Sequence, residues 1–194
     1  SMEKPLDILL NNAGIMNRER NETVDGLEEV FSVNHLAYFT FTLLLAEKLK
    51  NTSGSRVVNV ASGAHQFVKD MNFEDLQSEK TFRPMQVYGQ SKLANILFTK
   101  SLSEKLSSFG VTVNCLHPGF VSTGIGSNNN QGLWPFLMFL ARPFARKTDK
   151  GAETSIYLCC SSEVKDTTGE YFVDCKIEKI SEAAKDPKQA AKLW

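Results

Sequence analysis

A chain of 194 residues with 42% apolar and 10% aromatic side chains can bury a sizeable core, which excludes disorder and makes one globular domain the expectation. Its 22 basic and 22 acidic residues cancel and form no single-sign block, so no electrostatic footprint for nucleic acid is present. The longest apolar run, Trp134 to Ala141, is far short of the roughly 20 residues that span a bilayer.

No signal peptide opens the sequence, and Ser1-Met2 reads as a remnant of cloning rather than a native start. The four cysteines, Cys115, Cys159, Cys160 and Cys175, show no CxxC spacing and sit in apolar surroundings. Reduced core thiols in a reducing intracellular compartment are therefore expected, in the cytoplasm or on a membrane surface, rather than a disulfide framework.

In chain order, Leu6 to Leu10 is a short apolar run that suits a buried parallel strand, and Asn11-Asn12-Ala13-Gly14 ends it in a small-residue turn. Leu27 to Leu49 carries apolar residues at helical spacing, among them Val30, Phe31, Leu36 and Ala37 with Asn34 on the same face, and predicts one long helix. Arg56 to Val60 is the next buried strand, closed by Ala61-Ser62-Gly63. Gln86 to Leu106 is helical, with Leu93, Ile96, Leu97, Ser101 and Leu102 facing inward. Val111 to Leu116 is a third strand, stopped by His117-Pro118-Gly119.

Beyond Gly119 the pattern loosens. The stretch from Phe120 to Lys147 clusters Trp134, Phe136, Leu137, Met138, Phe139 and Leu140, with Arg142, Arg146, Lys147 and Lys150 after them. A lid over an apolar substrate, a helix packed on the core and a membrane-surface contact all fit that composition. Lys150 to Cys160 predicts a helix, Tyr171 to Val173 a last short strand, and Ala183 to Leu193 a weaker helix.

Alternation of strand and helix predicts an α/β fold, a Rossmann-like doubly wound parallel sheet spanning residues 1–194 as a single unit. Ligands bind such sheets beyond the carboxyl ends of the strands. Asn11 to Gly14, Ala61 to Gly63 and Pro118-Gly119 all fall there, so three separate segments point at one crevice.

Tyr88 and Lys92 lie one helical turn apart on a common face. A phenol with a pKa of about 10 is a poor base at neutral pH, and a fixed neighbouring cation lowers that value. Ser62 at a strand end is placed to bond a substrate oxygen, or is simply a turn hydroxyl. Asn34, with no partner visible in the sequence, is placed to order a water for proton relay, or is a structural asparagine. His35, His65 and His117 have no carboxylate or cysteine at ligand spacing, so no metal site is expected.

Asn11-Asn12-Ala13-Gly14, Val33-Asn34-His35, Val60-Ala61-Ser62, Tyr88-Gly89-Gln90-Ser91-Lys92 and His117-Pro118-Gly119 together resemble, in order, the motifs of short-chain dehydrogenases/reductases. The spacer from Met71 to Glu79, the stretch Ser91 to Thr99, Gly151 to Leu158 and the ending Lys192-Leu193-Trp194 resemble the retinol-dehydrogenase-like branch of that family.

The resemblance implies hydride transfer between a nicotinamide cofactor and a small apolar alcohol or carbonyl compound: a retinoid, a steroid or a lipid aldehyde. It implies that Tyr88 is the general acid/base, that Lys92 lowers its pKa and binds the nicotinamide ribose, that Ser62 holds the reacting oxygen, and that Asn34 keeps the relay water. Asn11, Ala13 and Gly14 would line the adenosine side of the cofactor, and Pro118, Gly119, Val121 and Thr123 its carboxamide side. NADP or NAD is the implied cofactor, NADP being the one the branch resemblance favours.

The family's glycine-rich TGxxxGxG turn, which seats a pyrophosphate at a helix amino terminus, is not in this sequence. Gly124-Ile125-Gly126 does not replace it, because no strand feeds it and no helix start follows. The chain accordingly reads as the carboxyl-terminal portion of such a fold, with its first strands missing, and is expected to bind dinucleotide poorly alone. Its first strand would then be an edge open to a second copy or another partner, the basis of an alternative reading as a truncated, non-catalytic interaction protein.

Overall fold

The computed structural model describes residues 4–119 and 147–194. Among these, five strands form one sheet in sequence order: β1 (Ile8–Asn11), β2 (Arg56–Val60), β3 (Thr112–His117), β4 (Tyr171–Val173) and β5 (Lys176–Ile177). The first four run parallel, with Asn11 opposite Asn59, Asn59 opposite Cys115, and His117 opposite Val173. Parallel register brings the carboxyl ends of β1, β2 and β3, and hence the three small-residue turns, to one edge of the sheet.

Sheet order corrects the all-parallel expectation at one place. β5 pairs antiparallel with β4 through Asp174 and Cys175, both at positive φ, 50° and 61°. Two successive left-handed residues make the tight hairpin turn whose twist matches the strands. Asp-Cys lacks the glycine that ordinarily announces such a turn, so the sequence pattern hides it.

The helical stretch after β1 is not one regular helix. A short turn α1 (Glu29–Phe31) passes into a π-helical turn, Ser32–Leu36, then α2 (Ala37–Leu44), and after a break at Leu45 into α3 (Ala46–Lys50). A π turn rotates the following side chains relative to an ideal 3.6 repeat, which explains why Tyr38 is buried and Ala37, expected inside, is exposed.

Helix α4 (Pro84–Leu106) is the spine of one sheet face. Leu93, Ala94, Ile96 and Leu97 are fully buried along it, and α5 (Thr148–Cys160) covers the other face with Leu158. The weak carboxyl-terminal helix is two, α6 (Glu182–Lys185) and α7 (Pro187–Leu193). Pro187 forces the residue before it out of the helical region, and Asp186, at φ −74° and ψ 109°, then caps α7 by accepting from the Lys188 amide.

β1 is an edge strand, and it is buried on one face only: Ile8 and Leu10 are exposed while Leu9 and Asn11 are buried. The expected buried strand is thus half-buried, and its edge position is the one expected of it. The cysteines are free, but only Cys115 lies in the core, and Cys160 is exposed; it stands at the end of an amphipathic helix with one face in solvent. Among the described residues no helix is long and apolar enough to cross a membrane.

Candidate active site

Two buried polar networks set the geometry before any catalytic group is considered. Asn11 donates from its amide to Thr42 Oγ1 at 3.0 Å and to Asn59 Oδ1 at 2.8 Å, and Asn59 passes the chain on to Thr99 Oγ1 at 2.9 Å. Both amide hydrogens of Asn11 are thereby spent on the fold. The side chain stitches β1 to β2 and to the helix carrying Thr42.

Asn34 sits on the π turn and is fully buried. Its Oδ1 accepts from the Ile15 amide at 2.8 Å, while its Nδ2 donates to the Ile15 carbonyl at 2.9 Å and to Ser91 Oγ at 3.0 Å. The partner invisible in the sequence is the backbone just after Gly14, which Asn34 clamps as a neighbouring strand would. Its main-chain carbonyl accepts from Asn95 Nδ2 at 2.8 Å.

Ser62 ends the segment after β2 and caps a 3-10 turn, Gly63–Phe67, its hydroxyl accepting from the Ala64 amide at 3.2 Å. His65 fixes the same residue from the other side: its Nδ1 lies 2.7 Å from the Ser62 carbonyl, and its Nε2 accepts from the Ser181 amide at 3.4 Å. That pairing assigns the Nδ1–H tautomer. Burial holds the His65 pKa below its ordinary value, with the Ser62 bond opposing.

Gly89 brings α4 against this turn, since a Cβ there would come to 2.8 Å from the Ala64 carbonyl oxygen and 3.0 Å from Val68 Cγ1. The contact sets Tyr88 beside Ser62. Burial raises the Tyr88 pKa above its ordinary value, and hydrogen bonding by the Ser62 hydroxyl pulls it partly back.

Lys92 is buried, with 2% of its surface exposed, and burial lowers its pKa to about 8. Its ammonium donates to the Val60 carbonyl at 3.0 Å and lies over two aromatic rings, Tyr88 at 5.7 Å and Tyr38 at 5.8 Å from the centroids. An ammonium has three donors, so one acceptor leaves capacity for further oxygens.

Gly14 lies beside it. A Cβ at Gly14 would meet Asn34 Oδ1 and Lys92 Nζ at 3.4 Å each, ordinary contact that the protein itself tolerates. The small residue leaves room toward the ammonium that the fold does not need. The spare Lys92 donors fit the hydroxyls of a dinucleotide's ribose, and the bare Gly14 leaves a sugar room to approach them.

Pro118 and Gly119 follow β3 at the same sheet edge, with Gly119 at φ +82°, a conformation that favours glycine. Val121, Thr123 and the apolar cluster from Trp134 to Leu140 lie outside the described residues. Sequence reasoning assigned no site role to Tyr38, Asn95 or Gly89, all of which contact the site. Only Gly89 carried a signal, a glycine inside a helix with no turn to require it. Among the described residues no cluster of His, Cys, Asp and Glu of metal-binding size occurs.

A parallel α/β sheet with a serine, a tyrosine and a lysine gathered beyond its strand ends defines a class of dinucleotide-dependent oxidoreductase folds. Residues 1–134 match the short chain dehydrogenase family, and the chain belongs to that family. Within it the sequence sides with the retinol dehydrogenases. It is 43% identical to retinol dehydrogenase 14 of Mus musculus over 194 residues and 43% identical to retinol dehydrogenase 12 of the same species over 192, in each case 99% of this chain. Those matches cover 58% and 60% of the relatives, so the chain spans about three-fifths of their length.

Among solved structures, an uncharacterised protein from Mycobacterium paratuberculosis superposes with a TM-score of 0.75 at 30% identity, over 98% of this chain and 65% of that one. A short chain dehydrogenase from Burkholderia cenocepacia, solved in complex with NADP, superposes at 0.63 and 23% identity, over 94% of this chain and 66% of that one. The second likeness is one of fold.

Proposed function

We propose that this chain carries the proton-transfer part of an NAD(P)-dependent oxidoreductase acting on an apolar alcohol, aldehyde or ketone, retinoid-like, steroid or lipid-derived. The observation that carries the reading is the convergence of Tyr88, Ser62 and Lys92: a phenol beside a hydroxyl, one turn from a buried ammonium with donors to spare.

When bound, NAD or NADP supplies the hydride acceptor or donor. In the direction of oxidation, Ser62 Oγ holds the substrate oxygen, and Tyr88 Oη, as a phenolate whose charge the neighbouring Lys92 ammonium offsets, takes the hydroxyl proton and becomes the neutral phenol. Lys92, with donors left over from the Val60 carbonyl, would also hold the ribose hydroxyls of the bound cofactor. The Asn34 carbonyl would hold, by accepting a hydrogen bond from it, a water that relays the proton outward. Reduction runs the same steps backward, with Tyr88 as the acid. NADP is favoured over NAD by the branch likeness.

Thermal melting with NAD, NADH, NADP and NADPH added singly tests the reading, beside a Tyr88→Phe/Lys92→Ala control. A ligand that binds only the folded state raises the midpoint by mass action. With the glycine-rich turn not in this sequence, a small rise at high nucleotide concentration with one oxidised and reduced pair, weakened in the control, is expected; no rise with any nucleotide would overturn the assignment for this chain.

A second reading is favoured by one observation, the edge position of β1 with Ile8 and Leu10 exposed. An open apolar edge recruits another strand, and the chain would then act as an interaction protein, with a second copy as one partner. Concentration-dependent sedimentation of the wild type, abolished by Leu10→Lys, supports this role; a monomer at all concentrations removes self-pairing.

A further inference from the structure

Lys92 is enclosed by two aromatic rings, and only one of them belongs to the site motif. Tyr38, on the first turn of α2, sets its ring centroid 5.8 Å from the ammonium, and the Tyr88 ring centroid lies 5.7 Å from it. Its hydroxyl donates to the Ala13 carbonyl at 2.8 Å, inside the small-residue turn that ends at Gly14. Tyr38 is 3% exposed and stands where the π turn, rather than a regular helix, delivers it.

We infer that Tyr38 is a positioning residue of the oxidoreductase site, its ring confining the Lys92 ammonium and its hydroxyl fixing the Ala13–Gly14 turn at the distance that Lys92 needs. The inference rests on the reading of Lys92 given under Proposed function.

Three physical points support it. A cation buried to this degree has lost most of its hydration, and an aromatic face within about 6 Å restores part of the lost stabilisation. Among the described residues Lys92 has a single hydrogen-bond acceptor, the Val60 carbonyl, so the ring contacts add a further restraint on where the ammonium lies. Tyr38 is no rival acid or base, because its hydroxyl is spent on Ala13 and burial holds its phenol strongly in the protonated form.

One side chain therefore ties together the two features that a ribose would touch, the lysine donors and the glycine turn. Ring and hydroxyl have separate tasks, and substitution can separate them. Tyr38→Phe keeps the ring and removes the Ala13 bond. Tyr38→Leu removes both.

The test is an NMR titration of the Lys92 side chain in the full chain, with amide hydrogen exchange of residues 13–15 read in parallel. Neither readout depends on turnover or on cofactor binding, so failure of this inference is distinguishable from failure of the nucleotide melts. In Tyr38→Phe the Lys92 midpoint is expected to stay near the wild-type value while exchange at Gly14 and Ile15 speeds at least several-fold.

In Tyr38→Leu exchange speeds equally and the Lys92 midpoint falls by about half a pH unit, the worth of one cation–aromatic contact. Tyr38→Met gives the same ring-free comparison should the leucine variant not fold. An unchanged midpoint in the ring-free variants, or an equal change in Tyr38→Phe, would overturn the ring's role; unchanged exchange in Tyr38→Phe would overturn the hydroxyl's.

Discussion

Gly89 lies so close beneath Ala64 that a Cβ on it would stand 2.8 Å from the Ala64 carbonyl oxygen. Backbone leaves no flexible atom to move, so the whole 3-10 turn carrying Ser62 would have to shift. Alanine is otherwise the better helix residue by about 1 kcal/mol. Gly89→Ala is nevertheless expected to destabilise the protein by about 1–3 kcal/mol through overpacking and to separate Tyr88 from Ser62. Urea denaturation measures the first effect, and the loss of nucleotide protection in melts the second; a more stable variant would show that the close approach is not maintained.

The positions of this relationship were partly legible beforehand. Strand ends are local signals: an apolar run followed by small residues places Asn11 to Gly14, Ala61 to Gly63 and Pro118-Gly119 at one sheet edge once the sheet is parallel. Tyr88 and Lys92 were legible because their spacing is helical. The partners of Asn34 were not, because Ile15 and Ser91 lie 19 and 57 residues away, and periodicity carries no information about such pairs. The π turn hid Tyr38 for the same reason that it buries it, since it breaks the 3.6 repeat used to assign faces. Asp174-Cys175 concealed β5 by making a left-handed turn from residues that seldom announce one.

His35 predicts acid sensitivity. Its ring is fully enclosed against Phe31 and Phe98, at centroid distances of 5.1 and 6.1 Å, and bonds Asn95 Oδ1 at 3.1 Å through Nδ1. Burial lowers its pKa to about 4, so the unfolded chain binds a proton that the folded chain refuses between pH ~6.5 and ~4. Stability is then fully present above the upper value and is lost as pH falls through that window, by up to about 3 kcal/mol from this residue. His65 acts with the same sign, and buried Glu28, with its pKa raised by desolvation, with the opposite one. Comparing denaturation of wild type and His35→Gln from pH 7 to pH 4 isolates the one residue: the gap between the two curves should change steadily over this range, and parallel curves would contradict the assignment.

Lys92 predicts a conflict between stability and function. A pKa lowered to about 8 by burial means that the folded state pays to keep the ammonium charged at neutral pH. Lys92→Met, close in volume and without charge, is expected to gain stability at pH 7, by up to about 3 kcal/mol, and to lose nucleotide protection. The sign is checked by pH. Between pH ~8 and ~10.5 the unfolded lysine holds a proton that the folded one has released, so wild-type stability rises relative to the variant and the gap closes. Denaturant midpoints at pH 7 and pH 10 decide the matter, and a variant less stable at pH 7 would show that the rings and the Val60 carbonyl already compensate the buried charge.

Asn59 predicts that the polar ladder under the site behaves as one unit. It is fully buried, accepts from Asn11 at 2.8 Å and donates to Thr99 at 2.9 Å, and Thr99 in turn donates to the Asn95 carbonyl at 2.8 Å. Asn95 then reaches both the Asn34 and Val60 carbonyls, at 2.8 and 3.3 Å, and Val60 holds Lys92. β1 is thus linked to the ammonium through buried hydrogen bonds alone. Asn59→Leu leaves an Asn11 donor and a Thr99 acceptor without partners, at an expected cost of about 2–4 kcal/mol. Asn11→Ala removes the other half of the same bond, so a double-mutant cycle between the two should return a coupling of about 1 kcal/mol or more. If the two losses simply add, the ladder is a row of independent bonds, and the distance from the Gly14 turn to Lys92 is set by strand pairing and by Tyr38 instead.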